Sequence, residues 1–224
     1  MNYIYEFMYA VLIAYAALFP VLNPLGGSLI FSSITYTLST EVNRRLAVKI
    51  ALNTFLLLTA VLLVGAWVLK LFGISVPIVQ LGGGAVVATR GWMIMNTGDD
   101  PKSVSSQTIV TEEAAIAASF FPLTLPMTAG PGAITVAITL GAEEIGKNLI
   151  FAAMGYVGTM LGIILSALTV YFSYHYAGYL LRRLGQNGRM VIMKLSAFIT
   201  LCIGLTIVWK GVQGLIALYV PMHH

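Results

Sequence analysis

Charged residues are scarce in this chain: Asp, Glu, Lys and Arg make up 9% of its 224 residues, whereas 58% are hydrophobic. Soluble domains carry about 25% charged residues, so this composition excludes an ordinary soluble fold and predicts a protein embedded in a lipid bilayer. The one cysteine, Cys202, excludes an intrachain disulfide, and its apolar run predicts a small buried side chain. No basic patch interleaved with polar residues is present, which argues against a nucleic-acid partner.

Six apolar stretches are each long enough to cross a membrane, which takes about 20 residues per helix. They lie near residues 7–34, 48–69, 77–95, 114–142, 148–174 and 191–218. The predicted fold class is an all-α membrane protein with six transmembrane helices. Lys and Arg concentrate in the loops after the first, third and fifth stretches. Because such basic loops stay in the cytoplasm, both termini are expected outside the cytoplasm, in a multi-pass protein of the inner membrane.

With three stretches in each half, the second half enters the membrane in the opposite sense to the first. This predicts two inverted three-helix repeats. We divide the chain into a first repeat (1–96), a cytoplasmic connecting loop (97–113) and a second, inverted repeat (114–222). Residues 223–224 are interpreted as the remnant of an added tag.

Each half carries one proline- and glycine-rich break deep in its first apolar stretch. The first break runs from Phe19 to Gly27 and the second from Pro122 to Gly132, and no charged residue occurs in 7–40 or in 114–142. Lipid cannot hydrogen-bond the backbone groups that proline and glycine release, so such breaks survive only beside protein or a watery cavity. Discontinuous first and fourth helices, facing each other near the membrane midplane, are therefore predicted as the binding site of a transporter.

The breaks suggest a small zwitterionic ligand. Asn23 before Pro24 is typical of an N-cap followed by proline at the first helical position. Free backbone N–H groups after the breaks would attract a carboxylate; they are those of Leu25, Gly26, Gly27, Gly132, Ala133 and Ile134. The carbonyls of Pro20 and Met127 would receive an ammonium group. Kinks accommodated by neighbouring helices are the alternative interpretation.

These segments resemble the MarC/SnatA family. The resemblance rests on Asn23-Pro24-Leu25-Gly26 after Phe19-Pro20, on 122–126 leading to 129–134, and on a final helix from Gly185 to Gly211. It covers nearly the whole chain and implies a six-span inner-membrane protein of bacteria or archaea. Some members are described as transporters of small neutral amino acids such as glycine and alanine. The family's break positions map onto Asn23, Pro24, Gly26, Gly130, Pro131 and Gly132, and Thr128 is a local departure that adds a hydroxyl.

Two sets of residues follow as site candidates. Those predicted to bind substrate are Asn23, Pro24, Gly26, Gly27, Thr128, Gly130, Pro131 and Gly132. Those predicted to line the cavity are Ser28, Asn53, Gln80 and Thr124. For the two amides, Asn53 and Gln80, a hydrogen bond between helices is an equal alternative.

Three further patterns are interpreted structurally. Arg90 lies a few residues inside its stretch and is expected to reach back to the cytoplasmic interface. The tyrosines at 171, 174, 176 and 179 predict an interfacial aromatic belt. Gly158-x-x-x-Gly162 and the glycines at 82–84 predict close helix packing.

The function predicted from these features is secondary active transport of small neutral amino acids. An exporter of small metabolites or drugs, or a channel, is the alternative. An enzyme is not expected, because Asp99-Asp100, His175 and Cys202 show no paired acids, nucleophile with base, or metal cluster inside the apolar stretches. We expect no cofactor or metal, and a coupling ion with a proton favoured over sodium. Self-association into a homo-oligomer is left open.

Overall fold

The structure, a computed structural model, describes residues 3–96 and 111–219. Within these ranges the chain is helical and contains no strand, which confirms the all-α membrane fold. Residues 97–110 of the expected connecting loop, and the remnant at 223–224, lie outside the described residues.

Eight α-helices and one π-helical segment make up the described chain. In order they are α1 (Tyr3–Leu22), α2 (Pro24–Ile34), α3 (Thr40–Leu71), α4 (Val76–Asn96), α5 (Glu112–Ala118), the π segment (Leu123–Thr128), α6 (Pro131–Glu143), α7 (Leu149–His175) and α8 (Ala177–Tyr219). Gly185 has φ 60° and interrupts the helical backbone of α8, a conformation that glycine adopts at little cost.

Five segments are long and apolar enough to cross a membrane: Tyr3–Ile34, Thr40–Leu71, Val76–Asn96, Leu149–His175 and Asn187–Leu218. The fourth apolar stretch is divided among α5, the π segment and α6, so no single helix of that stretch has the required length. The first stretch changes from α1 to α2 at Asn23. The prediction that the first and fourth helices are discontinuous is confirmed.

Glycines bring helix backbones into contact at two long interfaces. Gly84 of α4 lies against backbone atoms of Gly204 on α8, where a Cβ would be only 2.8 Å from the Gly204 carbonyl oxygen. Gly158 and Gly162 of α7 lie in the same way against α1, with 2.7 Å from a Cβ at Gly158 to the carbonyl oxygen of Phe7. The close packing predicted for Gly84, Gly158 and Gly162 is confirmed. For Gly82 the prediction is wrong, because nothing lies within 4 Å of a Cβ built at that position.

The helix contacts agree with a two-fold axis that exchanges the first and second halves of the chain. The interface of α2 with α7 has its counterpart in that of α6 with α3, and the pair α4–α8 is its own counterpart. The inverted repeat itself stays a prediction.

Charged side chains at one end of the bundle tie the N-terminus to the loop between α6 and α7. Lys147 Nζ lies 2.8 Å from Glu6 Oε1 and 3.0 Å from the Glu144 carboxylate. Partial burial lowers the pKa of Lys147, but its hydrogen bonds to Glu6 and Glu144 outweigh that effect and raise the pKa above its ordinary value.

The prediction that Cys202 is buried in the protein is wrong. Its side chain is exposed on α8, inside one of the segments able to cross a membrane. The apolar run around Cys202 therefore faces lipid and not other helices. The sequence does not distinguish the two, because lipid and the interfaces between helices both favour apolar residues.

Candidate functional site

The first helix break is formed by Asn23, which has the left-handed conformation φ 46°, ψ 58°. Its side-chain oxygen accepts a hydrogen bond from the Gly26 N–H at 3.1 Å, and its carbonyl accepts one from the Gly27 N–H at 2.8 Å. The predicted cap is confirmed. The N–H groups of Gly26 and Gly27, predicted to be free for a ligand, are instead satisfied by the cap itself.

The second break is longer because three helical segments, α5, the π segment and α6, follow one another. The π segment contains Leu125 with φ −112°, ψ 122°, and Gly130 then precedes Pro131 at the start of α6. The Gly130 carbonyl accepts hydrogen bonds from the N–H groups of Ala133 at 3.0 Å and Ile134 at 3.2 Å. These two donors, also predicted to be free, are therefore occupied.

Arg90 of α4 binds two carbonyls of the second break that lack a hydrogen-bond partner within a helix. Its guanidinium donates to the carbonyl oxygen of Pro126 at 3.0 Å and to that of Met127 at 2.5 Å. The expectation that Arg90 extends to the cytoplasmic interface is wrong, and the Met127 carbonyl assigned to a ligand ammonium already has a cationic partner. The guanidinium turns inward because the break presents two carbonyls that no helix satisfies.

Tyr174 of α7 bridges the two breaks. Its hydroxyl lies 2.9 Å from the Thr128 hydroxyl, which in turn donates to the Leu123 carbonyl at 2.7 Å. Since Thr128 has one hydroxyl proton, Tyr174 is the donor between them. On the other side, the Tyr174 hydroxyl would lie 2.6 Å from a Cβ at Gly27, so only glycine fits there. The ring stacks on Phe31 with centroids 4.9 Å apart.

The prediction that Tyr174 belongs to an interfacial belt is wrong, because its side chain is fully buried. Tyr176 and Tyr179 are exposed as a belt requires. A sequence signal for Tyr174 does exist: it continues the buried stripe of α7 that runs through Gly155, Gly158, Gly162, Ser166 and Val170 at helical spacing. The neighbouring tyrosines at 171, 176 and 179 led to the prediction of a belt in place of this helical period.

The two breaks meet at Gly132. A Cβ at this position would overlap Cγ2 of Val87 and lie 3.0 Å from Cγ1 of Val21, which precedes the first break. A cavity of about 20 Å³ lies here, lined by Val21, Val86, Val87, Arg90, Gly130, Pro131, Gly132, Ala133 and Thr200. That volume holds about one water molecule, so the breaks are closely packed around Arg90 in this conformation.

A larger cavity of about 230 Å³ lies between α1, α4, α6 and α8. Its lining includes Pro20 from the first break, and Thr135, whose hydroxyl donates to the Pro131 carbonyl of the second break at 2.9 Å. Gln80 projects from α4 and donates to the Thr139 hydroxyl at 3.3 Å. Both alternatives for Gln80 therefore hold, since it joins two helices and lines a cavity.

The other predicted residues lie apart from this cavity. Ser28 is fully buried and donates to the Leu25 carbonyl at 2.7 Å, and Thr124 likewise donates to the Ser119 carbonyl at 2.7 Å. Asn53 is half-buried on α3. None of the three lines either cavity described above. The hydroxyls are used within their own segments, as is common for Ser and Thr in membrane helices.

The breaks thus separate two unlike regions. On one side is the larger cavity, with amide and hydroxyl groups on its wall. On the other side Arg90 and Tyr174 hold the second break in place through hydrogen bonds.

Comparison with known proteins agrees with this architecture. Residues 8–216 match the family model described as MarC family integral membrane protein. A UPF0056 membrane protein of Pyrococcus horikoshii is 27% identical over 203 residues, covering 91% of this chain and 94% of the relative. The UPF0056 inner membrane protein MarC of Escherichia coli O1:K1 is 27% identical over 207 residues, covering 90% and 93%. No solved structure matches significantly. This chain, whose two broken helices meet beside Arg90 and Tyr174, therefore belongs to the MarC family of integral membrane proteins.

Proposed function

We propose that this protein is a secondary active transporter of small neutral amino acids, such as glycine and alanine, in the inner membrane. The observation that supports this proposal is the 230 Å³ cavity, which is lined by Pro20 of the first break and by Thr135, whose hydroxyl bonds the Pro131 carbonyl of the second break. Carriers commonly bind substrate near the midplane, at broken helices related by an internal repeat. The cavity is smaller than the roughly 300–1,000 Å³ of sites for drug-sized ligands, which favours a small substrate.

The asymmetry about the breaks supports a carrier over a channel. In the orientation predicted from the basic loops, the cavity-lining parts of α1, α6 and α8 lie toward the side outside the cytoplasm. Toward the cytoplasm, Arg90 and Tyr174 close the path by contacts with the second break. A carrier exposes its site to one side at a time, whereas a channel needs a continuous path when open.

On this proposal, the substrate enters the cavity and moves past Thr135 to Gly130, Pro131 and Gly132 while the cavity closes behind it. Asn23, Pro24, Gly26, Gly27 and Thr128 would complete the site from the other break and the π segment. Breaking the contacts of Arg90 and Tyr174 would then open the site toward the cytoplasm. Transport in the opposite direction, as an exporter, uses the same two states.

The test is uptake of radiolabelled glycine, alanine and leucine into proteoliposomes with imposed proton or sodium gradients. We expect saturable uptake of glycine and alanine, weak uptake of leucine, and stimulation by an inward proton gradient. Gln80→Leu should reduce uptake because Gln80 lines the cavity, whereas Gln213→Leu, on an exposed part of α8, is the matched control. Uptake that rises linearly with concentration would support a channel, and equal uptake of leucine and glycine would contradict the proposed substrate.

A further inference from the structure

The larger cavity has one acidic and one basic side chain at the end away from the breaks. Glu143 is the last residue of α6, and Lys210 lies on α8 facing the same cavity. Both side chains are exposed, so the cavity reaches the protein surface at this end. Their charges are close enough to interact electrostatically, yet within the described residues no ion pair shorter than 4.0 Å joins them.

The neighbouring charges of Glu144 and Lys147 also act on Glu143, but in opposite directions. Lys147 is bound to Glu6 and Glu144, so its ammonium group is already engaged by two carboxylates. Neither Lys147 nor Glu6 lines the cavity. Two opposite charges therefore face one small cavity without forming an ion pair with each other.

Polar groups continue from this end toward the breaks. Thr139 accepts a hydrogen bond from Gln80, and its own hydroxyl proton is given to the Thr135 carbonyl at 2.9 Å. One turn deeper, Thr135 donates to the carbonyl of Pro131. A ligand held at Glu143 and Lys210 would thus meet amide and hydroxyl groups on its way to Pro131.

We propose that Glu143 and Lys210 form an outer binding site for the zwitterionic backbone of a free α-amino acid. Lys210 takes the α-carboxylate and Glu143 takes the α-ammonium group. A ligand with only one charge meets a group of its own sign in the same cavity, whereas a zwitterion satisfies both groups. The inference rests on the proposed function and adds how the protein distinguishes amino acids from simple amines and carboxylic acids.

The experiment measures equilibrium binding to the purified full-length protein in lipid nanodiscs, with alanine, propionate and ethylamine as probes. For the wild-type protein we expect alanine to bind about 100-fold more tightly than either singly charged probe, since each lacks one charge-assisted contact. Glu143→Gln should weaken alanine binding about 10- to 100-fold and reduce the discrimination against propionate. Lys210→Met should weaken it similarly and reduce the discrimination against ethylamine.

Two controls separate recognition from folding. Lys70→Met removes a cation whose ammonium lies over the Trp67 ring and does not line the cavity, so alanine affinity should not change. The double exchange Glu143→Lys with Lys210→Glu keeps one charge of each sign in the cavity. It should recover part of the alanine affinity that is lost when Glu143→Lys or Lys210→Glu is made alone.

The outcomes distinguish this inference from the proposed function. If the wild-type protein binds and transports alanine but Glu143→Gln and Lys210→Met keep its affinity and its selectivity, the outer site is refuted and the transporter stands. If the wild-type protein binds no amino acid at all, both proposals fail. Loss of alanine binding in the single variants, with recovery in the double exchange, supports the outer site.

Discussion

Arg90 provides a direct test of how the second break is held closed. We consider Arg90→Leu, which removes both hydrogen bonds from the guanidinium to the Pro126 and Met127 carbonyls. A hydrogen bond that involves a charged group contributes about 1.5–3 kcal/mol. Taking the lower value for each bond, because Arg90 is only partly buried, the closed arrangement should lose about 3 kcal/mol relative to an open one. That free energy corresponds to a roughly 100-fold rise in the ratio of open to closed molecules.

The assay is the accessibility of a cysteine placed at Thr200, which lines the small cavity beside Arg90 and is 4% exposed. Cys202 is first replaced by serine, so that the introduced cysteine is the one thiol in the sequence. In inside-out membrane vesicles, a membrane-impermeant thiol reagent should modify Thr200→Cys slowly when Arg90 is present. With Arg90→Leu, we expect the rate to rise by up to about 100-fold if opening precedes the reaction.

Arg183→Leu is the matched control, because Arg183 is exposed, makes a contact with the Tyr179 ring at 5.1 Å and does not reach the breaks. It should leave the labelling rate unchanged. Thermal unfolding of both variants shows whether faster labelling reflects opening or general loss of structure. An unchanged rate in a folded Arg90→Leu protein would refute the view that Arg90 holds the break closed.

Three further predictions concern orientation, packing and pH. A cysteine at the exposed position Ile145 should react with an impermeant reagent in intact cells, and one at Tyr36 should not, because the basic loops predict a cytoplasmic location for Tyr36. The reverse pattern would overturn the predicted orientation. Gly132→Val should abolish binding because its side chain overlaps Val87, while Gly82→Val, with open space around it, should be tolerated; equal damage in both would argue against close packing at the breaks. The raised pKa of Lys147 means that its ion pairs stabilise the folded protein fully at neutral pH and are lost as pH rises through the folded-state pKa. Because the folded-state pKa lies above the ordinary lysine value of about 10.4, the difference in melting temperature between wild type and Lys147→Gln should stay constant from about pH 7 to about pH 10 and shrink only above that range. A difference that already narrows below about pH 9 would contradict this.

Much of the architecture could be predicted from local chemistry. The apolar stretches and the helix breaks at Asn23 and Pro131 follow from composition, proline and glycine, because the cost of unsatisfied backbone in lipid acts on each segment separately. The cap at Asn23 also follows from the sequence, since it needs only residues three positions apart. The glycines of α7 predicted close packing for the same reason.

Only the tertiary structure decided what fills the breaks. The bonds from Arg90 to the Pro126 and Met127 carbonyls join positions 36 and 37 residues apart, and Tyr174 reaches Thr128 across 46 residues. The sequence around Arg90 fits an interfacial cation as well as a cation bound at the break. The sequence around Tyr174 fits an aromatic belt as well as a buried contact. In a membrane the same residue types serve the lipid interface and the protein interior, so burial is determined by which helices pack together. The same reason explains Cys202, whose apolar run described the lipid around α8 and not a protein core.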